Sequence, residues 1–165
     1  MVWFNRLRAT PWNPTFTWVD TAAKAADQIN SFHEDYPQRI EVTRLCIEML
    51  ANDPDRLTST IFNPTLWFIH QSVFKDCSFA GQWRSVVVRV GLHAPPLPER
   101  VPDLMDSLFH VYQGRLYDLG MLQDWYTDFE TIHPFQDGNG RVGGIIVAAY
   151  SHLLHPEKGW LAVNQ

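Results

Sequence analysis

Residues 133–141 read HPFQDGNGR, so one histidine, one aspartate, one asparagine, one arginine and two glycines fall directly ahead of the apolar run VGGIIVAAY. Asp137-Gly138 and Asn139-Gly140 are consecutive turn dipeptides, each tolerant of positive φ. Two such turns feeding a helix gather backbone N–H groups at the positive end of its dipole, an arrangement that binds anions and most often phosphate. Arg141, one step into that helix, carries a fork able to reach phosphate oxygens. Asp137 is itself negative, and fits if a divalent cation lies between it and the anion, as Mg²⁺ is held by one carboxylate plus substrate phosphates. His133, with a pKa near neutrality, is suited to take a proton from an attacking hydroxyl. Pro134 and Phe135 fix the loop, Phe135 as its buried anchor. The combined chemistry is nucleotidyl or phosphoryl transfer to a hydroxyl, with positioning and electrostatics supplying most of the rate.

Each feature alone also has a plain structural reading. An Asn-Gly turn caps a helix, and a His before Pro often does no more. A metal pair of His133 and Asp137 on one helix face is opposed by Pro134 and the glycines, which break the helix it needs. The ordered set is what points to a site.

Positioning these residues requires helices. The first nineteen residues, rich in Trp, Phe and Pro without periodicity, read as an irregular arm. Asp20 can cap a helix beginning TAAKAADQINSF. PQRIEVTRLCIEMLA supplies a second, with Pro37 in its first turn and Ile40, Leu45, Ile47 and Leu50 as its buried side. A third starts at Pro64 with Leu66, Ile69, Val73 and Phe74 at helical spacing. WRSVVVRVG alternates Val86, Val88 and Val90 against Ser85, Val87 and Arg89, and the proline-rich LHAPPLPERVP after it cannot continue a sheet interior. This predicts one short hairpin at an edge. Helices follow over DLMDSLFHVY and LYDLGMLQDWYTDFETIH. The last begins near Asn139 and ends before Pro156. The fold class is mainly α, a helical bundle with one small β-hairpin.

The chain has 165 residues, 45% of them hydrophobic, which suits one domain with a real core. A net charge of −5 shows no basic excess of the kind that nucleic-acid or anionic-membrane binders carry. No stretch is long enough to span a bilayer, and the N-terminus lacks a signal peptide's order. Cys46 and Cys77 form neither a disulfide scaffold nor a metal knuckle, so both read as reduced and mostly buried thiols. These features place the chain in a reducing cytoplasm, with signal-less secretion left open.

HPFQDGNGR resembles the signature of Fic proteins, H-x-F-x-[D/E]-G-N-G-R-x-x-R, meeting every fixed position but the last, in order and without gaps. AGQWRSVVVRVGLHAPP with VPDLMDSL looks like that family's flap hairpin and following helix. The resemblance covers roughly residues 60–155, the Fic core, while residues 1–59 form an N-terminal arm and helices of the same single domain. It implies a Fic-type helical bundle and protein AMPylation, in which AMP moves from ATP to a Ser, Thr or Tyr hydroxyl and pyrophosphate leaves. By position, His133 is then the general base and Asp137 holds Mg²⁺. The backbone around Gly138, Asn139 and Gly140, with the Asn139 side chain, forms the α-phosphate hole, and Arg141 meets the β-phosphate. The flap near Val86–Val90 pairs with an extended segment of the target protein, and a separate antitoxin chain is a further possible partner. Arg84 reads equally as a flap anchor or a surface charge, and His93 as a residue near nucleotide or target. His70, His110, His152 and His155 lack partners at ligand spacing and are assigned structural or exposed roles.

The family's final Arg falls on Gly144. Positions 141 and 144 share a helix face, so one charged contact to the phosphate tail, usually the γ-phosphate, is lost. Such a bond is worth about 1.5–3 kcal/mol, on the order of 10–150-fold in binding. Attenuated AMPylation, another phosphate-containing substrate, an engineered or drifted variant, or a glycine kept for close helix packing are the readings this leaves. The inhibitory pattern [S/T]-x-x-x-E-[G/N] has no match, the nearest stretch being Ser59–Pro64. The alternative to an enzyme is a Fic-fold pseudoenzyme, a nucleotide- or protein-binding regulatory module without chemistry.

Overall fold

The computed structural model describes residues 14–55 and 61–164. In chain order the elements are β1 (Thr15–Val19), α1 (Ala22–Asn30), α2 (Tyr36–Ala51), α3 (Asn63–Val73), α4 (Val101–Tyr112), α5 (Leu119–Ile132), α6 (Asn139–Leu154) and β2 (Trp160–Asn164). Two 3₁₀ turns, Pro98–Arg100 and Pro156–Lys158, precede α4 and β2. The architecture is mainly helical, as the sequence predicts. No helix among the described residues is long and apolar enough to cross a membrane.

Helix α6 is the axis of the bundle. Its residues from Arg141 to Ser151 are buried, because α1, α2, α5 and β2 pack around it. A helix covered on every side carries an apolar sequence all round, which is why GGIIVAAY shows no polar stripe. Two adjacent glycines set the approach on opposite sides. A Cβ on Gly143 would come within 2.9 Å of the Tyr126 ring of α5, and one on Gly144 within 3.2 Å of Ile29 of α1.

The β structure lies elsewhere than the sequence places it. The only sheet among the described residues pairs β1 with β2, antiparallel, in the register Thr15↔Asn164 to Val19↔Trp160. Part of the presumed irregular arm is therefore a strand, and the second strand follows the last helix, where no expectation was placed; residues 1–13 lie outside the described residues. The Val86–Val90 stretch holds no ladder. A tight turn closes it, with Val90 and His93 exchanging backbone bonds of 3.0 and 2.9 Å around Gly91 at φ 57°. The alternation of valines finds no buried face, since Val86 is 40% exposed and Val88 and Val90 are only half-buried. β-Propensity expresses a half-buried pleated surface, and without a second strand there is none.

Local details also shift. Thr21, not Asp20, caps α1, its hydroxyl accepting from Lys24 N at 3.1 Å. Asp20 instead pairs with the Lys24 ammonium in solvent. The buried side of α2 runs through Arg39, Thr43, Cys46, Ile47 and Leu50, whereas Leu45 is exposed and Ile40 half-buried. Helix α3 begins at Asn63, so the Asn63-Pro64 end of the nearest inhibitory-type stretch is a helix start, while residues 56–60 lie outside the described residues. Both cysteines are free thiols, and burial pushes the Cys46 thiol up to about 11.

Candidate active site

The HPFQDGNGR loop joins α5 to α6. Helix α5 ends at Ile132, and His133 turns the chain through the left-handed region at φ 53°, ψ 62°. It is the one non-glycine residue with positive φ among the described residues, a conformation with a strain cost that surrounding bonds must hold. Three do so at this corner. Arg84 Nε donates to the His133 carbonyl at 2.7 Å, Arg84 N to the Pro134 carbonyl at 2.9 Å, and His133 N to the Phe129 carbonyl at 3.0 Å. The same guanidinium also donates to the carbonyls of Val86, Pro96 and Ile132. Arg84, 4% exposed, is thus the anchor that ties the flap to the loop, and not a surface charge.

Below the loop lies an aromatic floor. Phe135 is fully buried and stacks on His70 at 3.9 Å between centroids, with Trp83 5.1 Å away. His70 donates from Nε2 to the Asp137 carbonyl at 2.9 Å and accepts at Nδ1 from Gly81 N at 2.9 Å. These two bonds fix a neutral tautomer, and burial drives its pKa down to about 4. Among the four histidines given structural or exposed roles, His70 is therefore the one beneath the site. Gly138 stands at φ 85° with its Cα against Phe74, where a Cβ would lie 2.3 Å from the ring. That is the predicted Asp-Gly turn. The second dipeptide is not a turn, because Asn139-Gly140 already belongs to α6.

Asn139 is a clamp. Its Oδ1 accepts from Phe135 N and its Nδ2 donates to the Phe135 carbonyl, both at 2.8 Å, and the side chain is buried. With both ends of the amide so engaged, the side chain shapes the loop. The helix backbone offers the donors at this loop. The first bond of α6 is Val142 N to the Gly138 carbonyl at 3.0 Å, which leaves the preceding N–H groups at the positive dipole end without intrahelical acceptors.

These groups open on a cavity of about 440 Å³ lined by His133, Gln136, Asp137, Gly138, Asn139 and Gly140 from the loop, Val88, Arg89 and Val90 from the flap, and His33 and Glu130. Five of the six residues singled out in the sequence therefore share one cavity. Arg141 does not line it. Its side chain is 2% exposed, lies 4.6 Å over the Phe74 ring, and bonds Asp35 at 2.7 Å, with Asp137 Oδ2 at 3.5 Å. The expected free guanidinium is committed to a carboxylate from the N-terminal cap of α2. Asp35 also takes Arg39 and makes no side-chain bond to its own helix end.

His133 is a neutral imidazole. Its Nδ1 faces the Glu130 carbonyl at 3.1 Å, and a carbonyl can only accept, so the proton sits on Nδ1 and the lone pair on Nε2. Burial, opposed by the Glu130 carbonyl and reinforced by Arg84 and His93, pushes its pKa down to about 4, below the neutrality expected from sequence. His93 lies outside the cavity lining, its Nε2 bonded to the Thr131 carbonyl at 3.0 Å. Asp137 spends Oδ1 on Gly138 N at 2.8 Å, while its side chain stays 63% exposed at the cavity mouth.

Sequence reasoning missed His33, Asp35 and Glu130. His33 and Asp35 sit in the SFHED turn between α1 and α2, a hundred residues in sequence from the loop, with no motif to flag them. Glu130 carries a local signal, an acid one helical turn before His133, but nothing in the chain announces its burial.

Residues 63–151 match the Fic/DOC family model. Among solved structures, the chain is similar to a Fic domain-containing signaling protein from Bacteroides thetaiotaomicron VPI-5482, at 22% identity and a TM-score of 0.62, over 73% of this chain and 49% of that one. It is equally similar to a Fic family protein from Desulfovibrio desulfuricans G20, at 22% identity and a TM-score of 0.62, over 93% of this chain and 50% of that one. The chain spans about half the length of each, and at such identity the likeness is one of fold. No curated protein matches it. The family match takes in more than half of the chain and the whole HPFQDGNGR loop, and the chain belongs to the Fic/DOC family.

Proposed function

We propose that the chain is a nucleotidyltransferase that moves AMP from ATP to a hydroxyl side chain of a target protein. The observation that carries this reading is the neutral His133, its Nε2 lone pair unclaimed by the protein, in one cavity with the α6 N-terminus. In the reaction the hydroxyl oxygen forms a bond to the α-phosphorus, the bond to the α,β-bridging oxygen breaks, and pyrophosphate leaves with that electron pair. The hydroxyl proton passes to His133 Nε2. A phosphate at the helix end raises the pKa of His133 toward neutrality, since nearby negative charge favours the imidazolium. The backbone of Gly138–Gly140 receives the charge on the α-phosphate.

Among the described residues no group of three or more His, Cys, Asp or Glu could hold a metal ion. One exposed carboxylate, Asp137, fits Mg²⁺ held jointly with substrate phosphates, and such an ion supplies charge neutralisation on the phosphate tail. The flap supports target docking, because the Val87–Arg89 stretch belongs to no ladder and Leu92, at its turn, is 97% exposed. An incoming peptide strand adds main-chain bonds there.

A second reading, a regulatory module that binds nucleotide without transfer, is favoured by one observation. Arg141 is held by Asp35, and Ile29 covers Gly144, so α6 places no guanidinium in the cavity. Labelled ATP, Mg²⁺ and cell lysate separate the two. Transfer of label by the native chain, abolished in His133→Ala, is the expected result. ATP binding with no transfer by the native chain refutes the enzyme.

A further inference from the structure

His33 stands where the seam between α1 and α6 opens into the site. It lines the cavity of about 440 Å³ and also the void of about 60 Å³ beside it, and Gly140 is the other residue common to both. The residue is half-buried, and its ring makes no hydrogen bond to the protein among the described residues. Its backbone is held on both sides. His33 N donates to the Asn30 carbonyl at 3.0 Å, and the His33 carbonyl accepts from Tyr36 N at 3.2 Å. Two residues on, Asp35 ties this turn to Arg141 of α6 at 2.7 Å. The ring is therefore free to take a ligand while the chain that carries it is fixed to the helix at the centre of the site.

The seam sets two residues of α1 and its following turn against two of α6. Ile29 lies against Gly144, and four residues on, His33 borders the same void as Gly140. A helical side chain leans toward the N-terminus and covers the turn before it. An arginine at position 144 would therefore carry its guanidinium over Gly140, to the end of the seam where His33 stands. Helix α6 lacks a donor at Gly144, and the turn after α1 supplies one at the same end. A neutral imidazole keeps one N–H whichever nitrogen bears it, and an imidazolium has two. We infer that His33 is a phosphate-binding residue whose ring N–H donates to the nucleotide tail beyond the α-phosphate. The inference rests on the nucleotide reading above, in which the N-terminus of α6 receives the α-phosphate.

Calorimetric titration of the full chain with ATP, inorganic tripolyphosphate and AMP, each with Mg²⁺, tests it. His33→Ala is expected to weaken ATP and tripolyphosphate about tenfold, the order of one hydrogen bond to a charged group, and to hold AMP within about twofold. The variant is expected to melt with the native chain, since the ring it removes makes no bond to the protein. His33→Gln keeps an N–H donor and is expected to hold ATP within about threefold of native. Unchanged ATP and tripolyphosphate affinity in the Ala form overturns the inference, as does a Gln form that binds ATP no better than the Ala form. An equal loss of AMP in the Ala form overturns the assignment to the tail. A native chain that binds neither ATP nor tripolyphosphate refutes the nucleotide reading itself.

Discussion

Restoring the family's missing arginine is expected to damage the protein before it can help it. A Cβ on Gly144 meets Ile29 Cγ1 at 3.2 Å, Cδ1 at 3.4 Å and Cγ2 at 3.6 Å. Ile29 is buried in the α1–α6 seam, so the rest of an arginine must displace it or bend away along the helix. The neighbouring void, between Ile29, Phe32, His33 and Gly140, holds only about 60 Å³. Overpacking of this kind costs about 1–3 kcal/mol, and an unpaired guanidinium forced into the seam adds about 1–3 kcal/mol more. The gain in helix propensity over glycine returns less than about 1 kcal/mol. Gly144→Arg is therefore expected to lose about 1–5 kcal/mol in urea unfolding. Ile29→Ala relieves the seam, so the double variant is expected to be more stable than the two single losses added, by about 0.5–3 kcal/mol. A Gly144→Arg protein as stable as the native chain, with tighter ATP binding, refutes the reasoning and restores the reading of Gly144 as a simple loss of charge.

Two further outcomes follow from the loop's floor. His70 has its folded pKa lowered to about 4 from an ordinary 6.5, so its contribution to stability is complete above pH 6.5 and is lost as pH falls, because the unfolded chain takes up a proton that the folded one refuses. The loss approaches about 3 kcal/mol by pH 4, and urea unfolding across pH 7 to 4 is expected to show a shallower slope in His70→Gln; equal slopes refute the assignment. Gly138→Ala combines a left-handed backbone with a Cβ 2.3 Å from Phe74, whose ring already carries Arg39 and Arg141 at 4.6 Å. Strain and overlap together predict a loss of about 2–5 kcal/mol by thermal or urea unfolding, and a loss under about 1 kcal/mol contradicts the packing described.

The amino-acid sequence alone determined the loop and the helices that hold it. Helical periodicity located α3, α4, α5 and α6 to within a few residues, and the Asp-Gly turn fixed where α6 begins, because capping and turn chemistry act over neighbouring residues. Phe135 is the buried anchor it promised to be. Tertiary structure decided what local signals do not encode. The flap lost its ladder because no strand comes to pair it, and the sheet formed instead between segments at opposite ends of the chain. Arg141 looked free in sequence because its partner, Asp35, lies in another helix cap. Nothing in GNG announces that the Asn139 amide closes a ring with Phe135. Burial alone pushes the Glu130 carboxyl up to about 8. Gly144 changed meaning most: the sequence shows a missing charge, and the fold shows the place where α1 lies against α6, close enough that a side chain has no room.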